Sequence, residues 1–112
     1  METDLNRLAF PERRAKPRIK CNYPASVKWA DLYGQDYEEK ARVVNLSTSG
    51  IFMLVNTPLQ IYSELSVTIA FPTGTLNLES SHLATSGTVI RSVNQADGTF
   101  GIAVKFRKYR FI

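Results

Sequence analysis

The chain has 112 residues, of which 44% are hydrophobic and 21% charged, with a formal net charge of +4. That is one soluble domain with room for a real core, and a charge balance that favours an anionic partner without demanding one. A single cysteine, Cys21, excludes an intramolecular disulfide and a thiolate metal cluster, and a single histidine, His82, leaves little for a His-based metal site or a catalytic triad.

No apolar run approaches the roughly 18 residues of a membrane span, and no signal-peptide core is present, so a cytoplasmic setting is expected. The positive charge is uneven. Arg13, Arg14, Lys16, Arg18 and Lys20 cluster near the start, and Lys105, Arg107, Lys108 and Arg110 near the end. Most carboxylates lie between. If the two ends meet in space, they form one basic face.

In chain order, residues 1–12 mix charge with Leu5, Leu8 and Ala9 at helical spacing, and Pro11 ends any helical turn there. From Cys21 the period becomes two. Ala25, Val27 and Trp29 alternate with Ser26, Lys28 and Ala30, the pattern of a half-buried strand. Residues 31–35, with Gly34, read as a turn. A second strand runs from Glu39 to Leu46, with Ala41, Val43 and Asn45 on one face. Ser47 to Gly50 breaks it. Ile51 to Val55 is apolar on both faces and reads as central. Leu65, Val67, Ile69 and Phe71 form a fourth strand, and Pro72-Thr73-Gly74 turns the chain.

The segment from Thr75 to Ser86 is polar and shows no clear period, and His82 within it reads as a surface loop residue. Gly87 to Val93 is a strand, and Asp97-Gly98 supplies hairpin chemistry. Phe100, Ile102, Val104 and Phe106 then alternate regularly. The tail from Arg107 to Ile112 is expected to start a short helix or to fray. Six or seven short strands, with turn signals every 8 to 12 residues, argue for an all-β barrel or sandwich.

Two stretches carry chemistry. Arg13-Arg14-Ala15-Lys16-Pro17-Arg18 places three guanidinium groups just before the first strand. Each is planar, permanently charged and carries a donor fork suited to phosphate or to the O6/N7 edge of guanine. Alone, the cluster reads either as a solvated basic tail or as a clamp for an anion. Asn45-Leu46-Ser47-Thr48-Ser49-Gly50 is a polar cradle at a strand-to-strand turn. Its amide and hydroxyl both donate and accept, and Gly50 allows a positive φ or a close approach to a ligand. Alone, it is also what an ordinary turn looks like.

Taken together and in this order, RxxxR (Arg14 to Arg18) and (D/N)xSxxG (Asn45 to Gly50) resemble the signature of the PilZ domain, a bacterial receptor module for cyclic di-GMP. Gly87-Thr88-Val89-Ile90-Arg91 is similar to that family's penultimate strand, and Gly101 to Phe106 to its closing strand, so the likeness spans roughly residues 12–107. The resemblance implies a six- or seven-stranded antiparallel split β-barrel over residues 21–112, with at most a short C-terminal helix. It also implies a flexible arm, residues 1–20, folding across the barrel beside the turn at 45–50.

It further implies that Arg14 and Arg18 meet the phosphates and guanines, that Asn45 and Ser47 meet guanine edges, and that Gly50 keeps the backbone clear. Arg13, a basic residue directly before the motif, goes in this family with an intercalated ligand dimer. The expected function is a ligand-operated switch that signals to a protein effector, without catalysis, metal or cofactor. Two other readings compete. A ligand-independent adaptor would keep the fold and work through protein contacts alone. A small-barrel nucleic-acid binder would stack bases on Trp29, Tyr33 and Tyr37, but these aromatics are not interleaved with the basic clusters.

Overall fold

The structure, a computed structural model, describes residues 18–72 and 82–112. The strands are β1 (Ile19–Ala30), β2 (Asp36–Leu46), β3 (Gly50–Val55), β4 (Glu64–Ala70), β5 (His82–Asn94) and β6 (Phe100–Phe111). They close into a barrel in the order β1-β2-β3-β6-β5-β4, and every neighbouring pair is antiparallel. Closure leaves no free edge along the barrel wall, so strands too short to stand alone satisfy their backbone groups on both sides.

The alternation read from the sequence is what fills this barrel. Val27, Val43, Met53, Val67, Ile69, Val89 and Ile102 point inward and are fully buried. Burying each such side chain stabilises the fold by about 1.5–3 kcal/mol. Thr85 also faces inward, and its hydroxyl is satisfied by donating to the Val67 carbonyl across the β4–β5 ladder at 2.9 Å.

Two of the turns behave as their chemistry dictates. At the β1–β2 turn, Gly34 takes φ +80°. Asp31 Oδ1 accepts from the amides of Tyr33 and Gln35 there, at 2.8 and 2.9 Å. These bonds hold the Asp31 carboxyl below its usual pKa, the Gln35 amide contributing most. At the β5–β6 turn, Gly98 takes φ +90° and Asp97 Oδ1 accepts from the Thr99 amide.

The ends of two strands differ from the sequence expectation. The tail neither turns helical nor frays: β6 continues to Phe111, and the Ile112 amide donates to the His82 carbonyl at 3.0 Å. His82 accordingly opens β5 as an exposed strand residue, where the sequence suggested a loop. The reason is an extra residue, Arg107, inserted where Gly87 pairs with Phe106 and Ser86 with Lys108. It resets the alternation, so that Tyr109 pairs with Thr85 and Phe111 with Leu83, and the Phe111 ring reaches Phe71 at 6.1 Å. The expected helical turn near Leu5–Ala9, and most of the polar stretch after Thr75, lie outside the described residues.

Candidate functional site

The chain enters β1 at Arg18, on the rim of an open cleft of about 410 Å³ on the outer barrel surface. Its walls come from the β2–β3 turn, from β3, and from the facing stretches of β5 and β6. Asn45, Ser47 and Gly50 line it together with Arg18, so four residues from the two motifs share one cavity. Arg13 and Arg14 lie outside the described residues.

The turn that separates β2 from β3 is built by its own serines. The Ser47 amide donates to the Gly50 carbonyl at 3.0 Å, closing the turn. The Ser47 hydroxyl accepts from the Ser49 amide at 3.2 Å and donates to the Gly50 carbonyl at 3.3 Å. It also lies 3.0 Å from the Ser49 hydroxyl.

Gly50 is needed for close approach and not for a left-handed backbone. A Cβ on it would sit 2.2 Å from the Val104 carbonyl oxygen. Its φ is not positive, unlike those of Gly34 and Gly98. This lets β3 press against β6, where the Phe106 amide donates to the Ser49 carbonyl at 2.8 Å.

Two β-bulges aim the polar residues of the cleft. Val43 pairs with Met53 but Asn45 pairs with Phe52, so Val44 is an extra residue in β2. Val89 pairs with Val104 but Arg91 pairs with Ala103, so Ile90 is an extra residue in β5. Without these insertions Asn45 and Arg91 would share the inward parity of Val43 and Val89. With them, both turn outward, which corrects the simple alternation that would set Asn45 on the face of Ala41 and Val43. The outcome is a single cross-strand row, Asn45–Phe52–Ala103–Arg91, spanning β2, β3, β6 and β5.

Phe52, Ile90, Arg91 and Lys105 also line the cleft, although neither motif contains them. One signal for them was present in the sequence. An arginine two residues after Val89, and an asparagine two after Val43, stand at positions whose parity points to the core. A charged or amide side chain there is costly unless the strand bulges.

The electrostatics of the cleft are one-sided. Arg18, Arg91 and Lys105 line it, and no carboxylate does. Among the described residues none of the three has a carboxylate partner. A second cleft, of about 590 Å³ at the far end of the barrel, is larger but carries both signs, with Lys28 and Arg107 among Asp36, Glu38 and Glu64. There Arg107 already pairs with Glu64 at 2.6 Å. Concentrated positive potential with polar cradle groups suits an anion; a mixed, self-paired cleft does not. The first cleft is therefore the candidate site despite its smaller volume. Among the described residues, no group of three or more His, Cys, Asp or Glu side chains is placed to hold a metal ion.

The family model for the PilZ domain matches residues 12–110. Among solved structures, the chain is similar to the inhibitor of motility MotI/DgrA of Bacillus subtilis, with 16% identity and a TM-score of 0.70 over 88% of this chain and 44% of that one. It is similar to the PilZ domain with c-di-GMP of YcgR from Escherichia coli, with 17% identity and a TM-score of 0.57 over 87% of this chain and 79% of that one. The K. pneumonia MrkH–c-di-GMP complex gives 16% identity and a TM-score of 0.58 over 87% of this chain and 45% of that one. At such identities the likeness is one of fold. The chain spans less than half the length of MotI/DgrA and of MrkH. No curated protein sequence matches it.

Proposed function

The chain belongs to the PilZ domain family, and from that premise we propose that it is a cyclic di-GMP receptor. The observation that carries this reading is the convergence of Arg18, Asn45 and Ser47 on one cleft lined by cations and no acid. YcgR and MrkH, which share the fold, were each solved with c-di-GMP.

The ligand offers two phosphates and two guanines. Arg18, and Arg14 four residues before it in the sequence, supply donor forks for phosphate oxygens and for guanine O6/N7. Facing adenine, the same donors would meet an amino group and be left unpaired, which is the source of the preference for guanine. Asn45 meets a guanine edge from the barrel side. Ser47 contributes through the turn it builds and through its hydroxyl, and Gly50 by keeping β3 close on β6. Arg13 adds a third guanidinium, which favours two ligand molecules at the site by offsetting their four negative charges.

The output is binding and not catalysis. Residues 1–20 act as an arm whose like charges repel until the phosphates bridge it to the barrel at residues 21–112. The closed arm then presents a new surface to a protein effector in the cytoplasm.

The test is calorimetric titration of cyclic di-GMP into the purified chain, alongside Arg14→Ala and Arg18→Ala. Saturable binding near two ligands per chain, lost in both variants, is expected. Saturation at one ligand would remove the role given to Arg13. No heat from the unmodified chain, with its β-sheet circular dichroism intact, would replace the receptor with a ligand-independent adaptor.

A further inference from the structure

The tip of the β1–β2 hairpin, at the opposite end of the barrel from the cleft, presents two large apolar side chains to water. Leu32 is 99% exposed and Tyr33 93%. The turn that carries them is held from several sides. The Asp31 amide donates to the Gln35 carbonyl at 3.0 Å, and the Gly34 amide to the Asp31 carbonyl at 3.1 Å. Asp31 Oδ1 accepts from the Tyr33 and Gln35 amides, and its Oδ2 from the Tyr37 hydroxyl at 3.0 Å. The Tyr37 ring stacks in turn on Trp29, with centroids 5.6 Å apart. Packing within the fold gains nothing from Leu32 and Tyr33. An exposed aromatic on a turn already fixed in place is the form of an interface anchor, because little freedom is lost when a partner takes it.

The tip is also acidic. Asp36 and Glu38 are exposed beside it, and the nearest bases on the hairpin, Lys28 and Lys40, stand further down the strands. Asp36 has no ion-pair partner among the described residues. A complementary surface exists on the same chain. The cleft beside the β2–β3 turn is lined by Arg18, Arg91 and Lys105 without a carboxylate, and its wall carries apolar Phe52 and Ile90. It is open to solvent and, at about 410 Å³, has room for the side chains of a turn. The twelve residues of β1, about 40 Å of strand, separate tip from cleft. A chain therefore cannot fill its own cleft, but a second copy can.

From this complementarity we infer that the β1–β2 hairpin of one chain docks in the cationic cleft of a second copy. Leu32 and Tyr33 lie against the wall of Phe52 and Ile90, and Asp36 and Glu38 face the cations around it. The contact is heterologous: each copy offers its tip to one neighbour and its cleft to another, so association propagates into short chains. A hairpin tip buries little area, which makes the contact weak and transient. Because the cleft is also the proposed nucleotide site, cyclic di-GMP displaces the hairpin and disperses the chains. That control rests on the receptor reading; the docking itself does not.

The test is sedimentation velocity over a concentration series, at about 0.1 M and about 1 M salt. The unmodified chain is expected to associate at the lower salt and to run as a monomer at the higher. A tip variant, Leu32→Ser with Tyr33→Ser, and a cleft variant, Arg91→Glu with Lys105→Glu, are each expected to weaken self-association about tenfold or more. Circular dichroism checks the fold of both. Mixed together, the intact cleft of the first takes the intact tip of the second, and the mixture is expected to stop at a one-to-one pair. A monomer at every concentration of the unmodified chain would overturn the docking. So would undiminished association in either variant, or no pairing in the mixture. Added cyclic di-GMP is expected to return the unmodified chain to monomer. Ligand that binds without dispersing the chains would show that the hairpin does not sit in the cleft. Ligand that does not bind at all would remove the receptor reading and leave the docking to stand on the mixing result.

Discussion

Gly50 shows how a motif residue serves the fold before it serves a ligand. Its missing Cβ is what allows the Val104 carbonyl to come within the distance at which a methyl group would stand. The obstacle is backbone, which does not swing aside as a flexible side chain would. Gly50→Ala is therefore expected to lower unfolding stability by about 3 kcal/mol, at the upper end of overpacking costs, read as a fall in the urea midpoint at unchanged slope. A change within about 0.5 kcal/mol, the range of ordinary surface substitutions, would mean that β3 shifts away from β6 without penalty. Loss of ligand binding in this variant would arise from the displaced strand as readily as from a lost contact, so Gly50 is a poor probe of recognition. Arg18, exposed on the rim, is a better one.

At the scale of elements, the strands were legible because alternation is a local signal. Val27, Val67, Ile69 and Ile102 occupy the inward positions that period two assigns to them. The signature residues Arg18, Asn45, Ser47 and Gly50 were legible as a set, and the structure gathers them at one cleft. What escaped was the facing of the strand residues just beyond a bulge. Val44, Ile90 and Arg107 each add one residue to a strand without any composition of their own to announce it. Each reverses the inward–outward parity of the strand residues beyond it. Simple alternation from Val89 would set Arg91 toward the core, and it would not place Phe106, Tyr109 and Phe111, spaced three and then two apart, on one face. The tail tests this account. Phe111 is 50% exposed yet packs on Phe71, which in turn meets Tyr23 edge-on at 5.1 Å. Phe111→Ala is expected to cost about 1 kcal/mol through that ring contact, lowering Tm by about 4–8 °C for a domain of this size. An unchanged Tm would mean that the end of β6 is not anchored.

Across the whole molecule, charge is sorted along the barrel. The chain enters β1 at the cationic cleft, and β1 then runs twelve residues to the opposite end. There residues 29–39 hold four acids, Asp31, Asp36, Glu38 and Glu39, and no base, on a chain whose formal net charge is +4. The basic ends of the sequence do meet at the cleft, where Arg18 and Lys105 share a lining, but not as one continuous face. Arg107 is diverted to Glu64 in the other cleft. A long polyanion would need a cationic track, and an acidic hairpin end interrupts it. A compact dianion needs only the local potential of Arg18, Arg91 and Lys105. The two cases separate by salt. Between about 0.1 M and 1 M salt the Debye length falls from about 10 Å to about 3 Å. Screening of so few exposed charges is expected to weaken cyclic di-GMP binding by roughly tenfold, because hydrogen bonding and stacking to the bases persist while long-range attraction is lost. A single-stranded oligonucleotide is expected to show no retention on the immobilised chain at about 0.2 M salt, where a backbone-tracking binder would still hold it, weakening steeply only as more salt competes for its phosphates. Tight oligonucleotide binding with a steep salt slope, and none of cyclic di-GMP, would mean that the cationic cleft is one end of a track and not a closed pocket for a small anion.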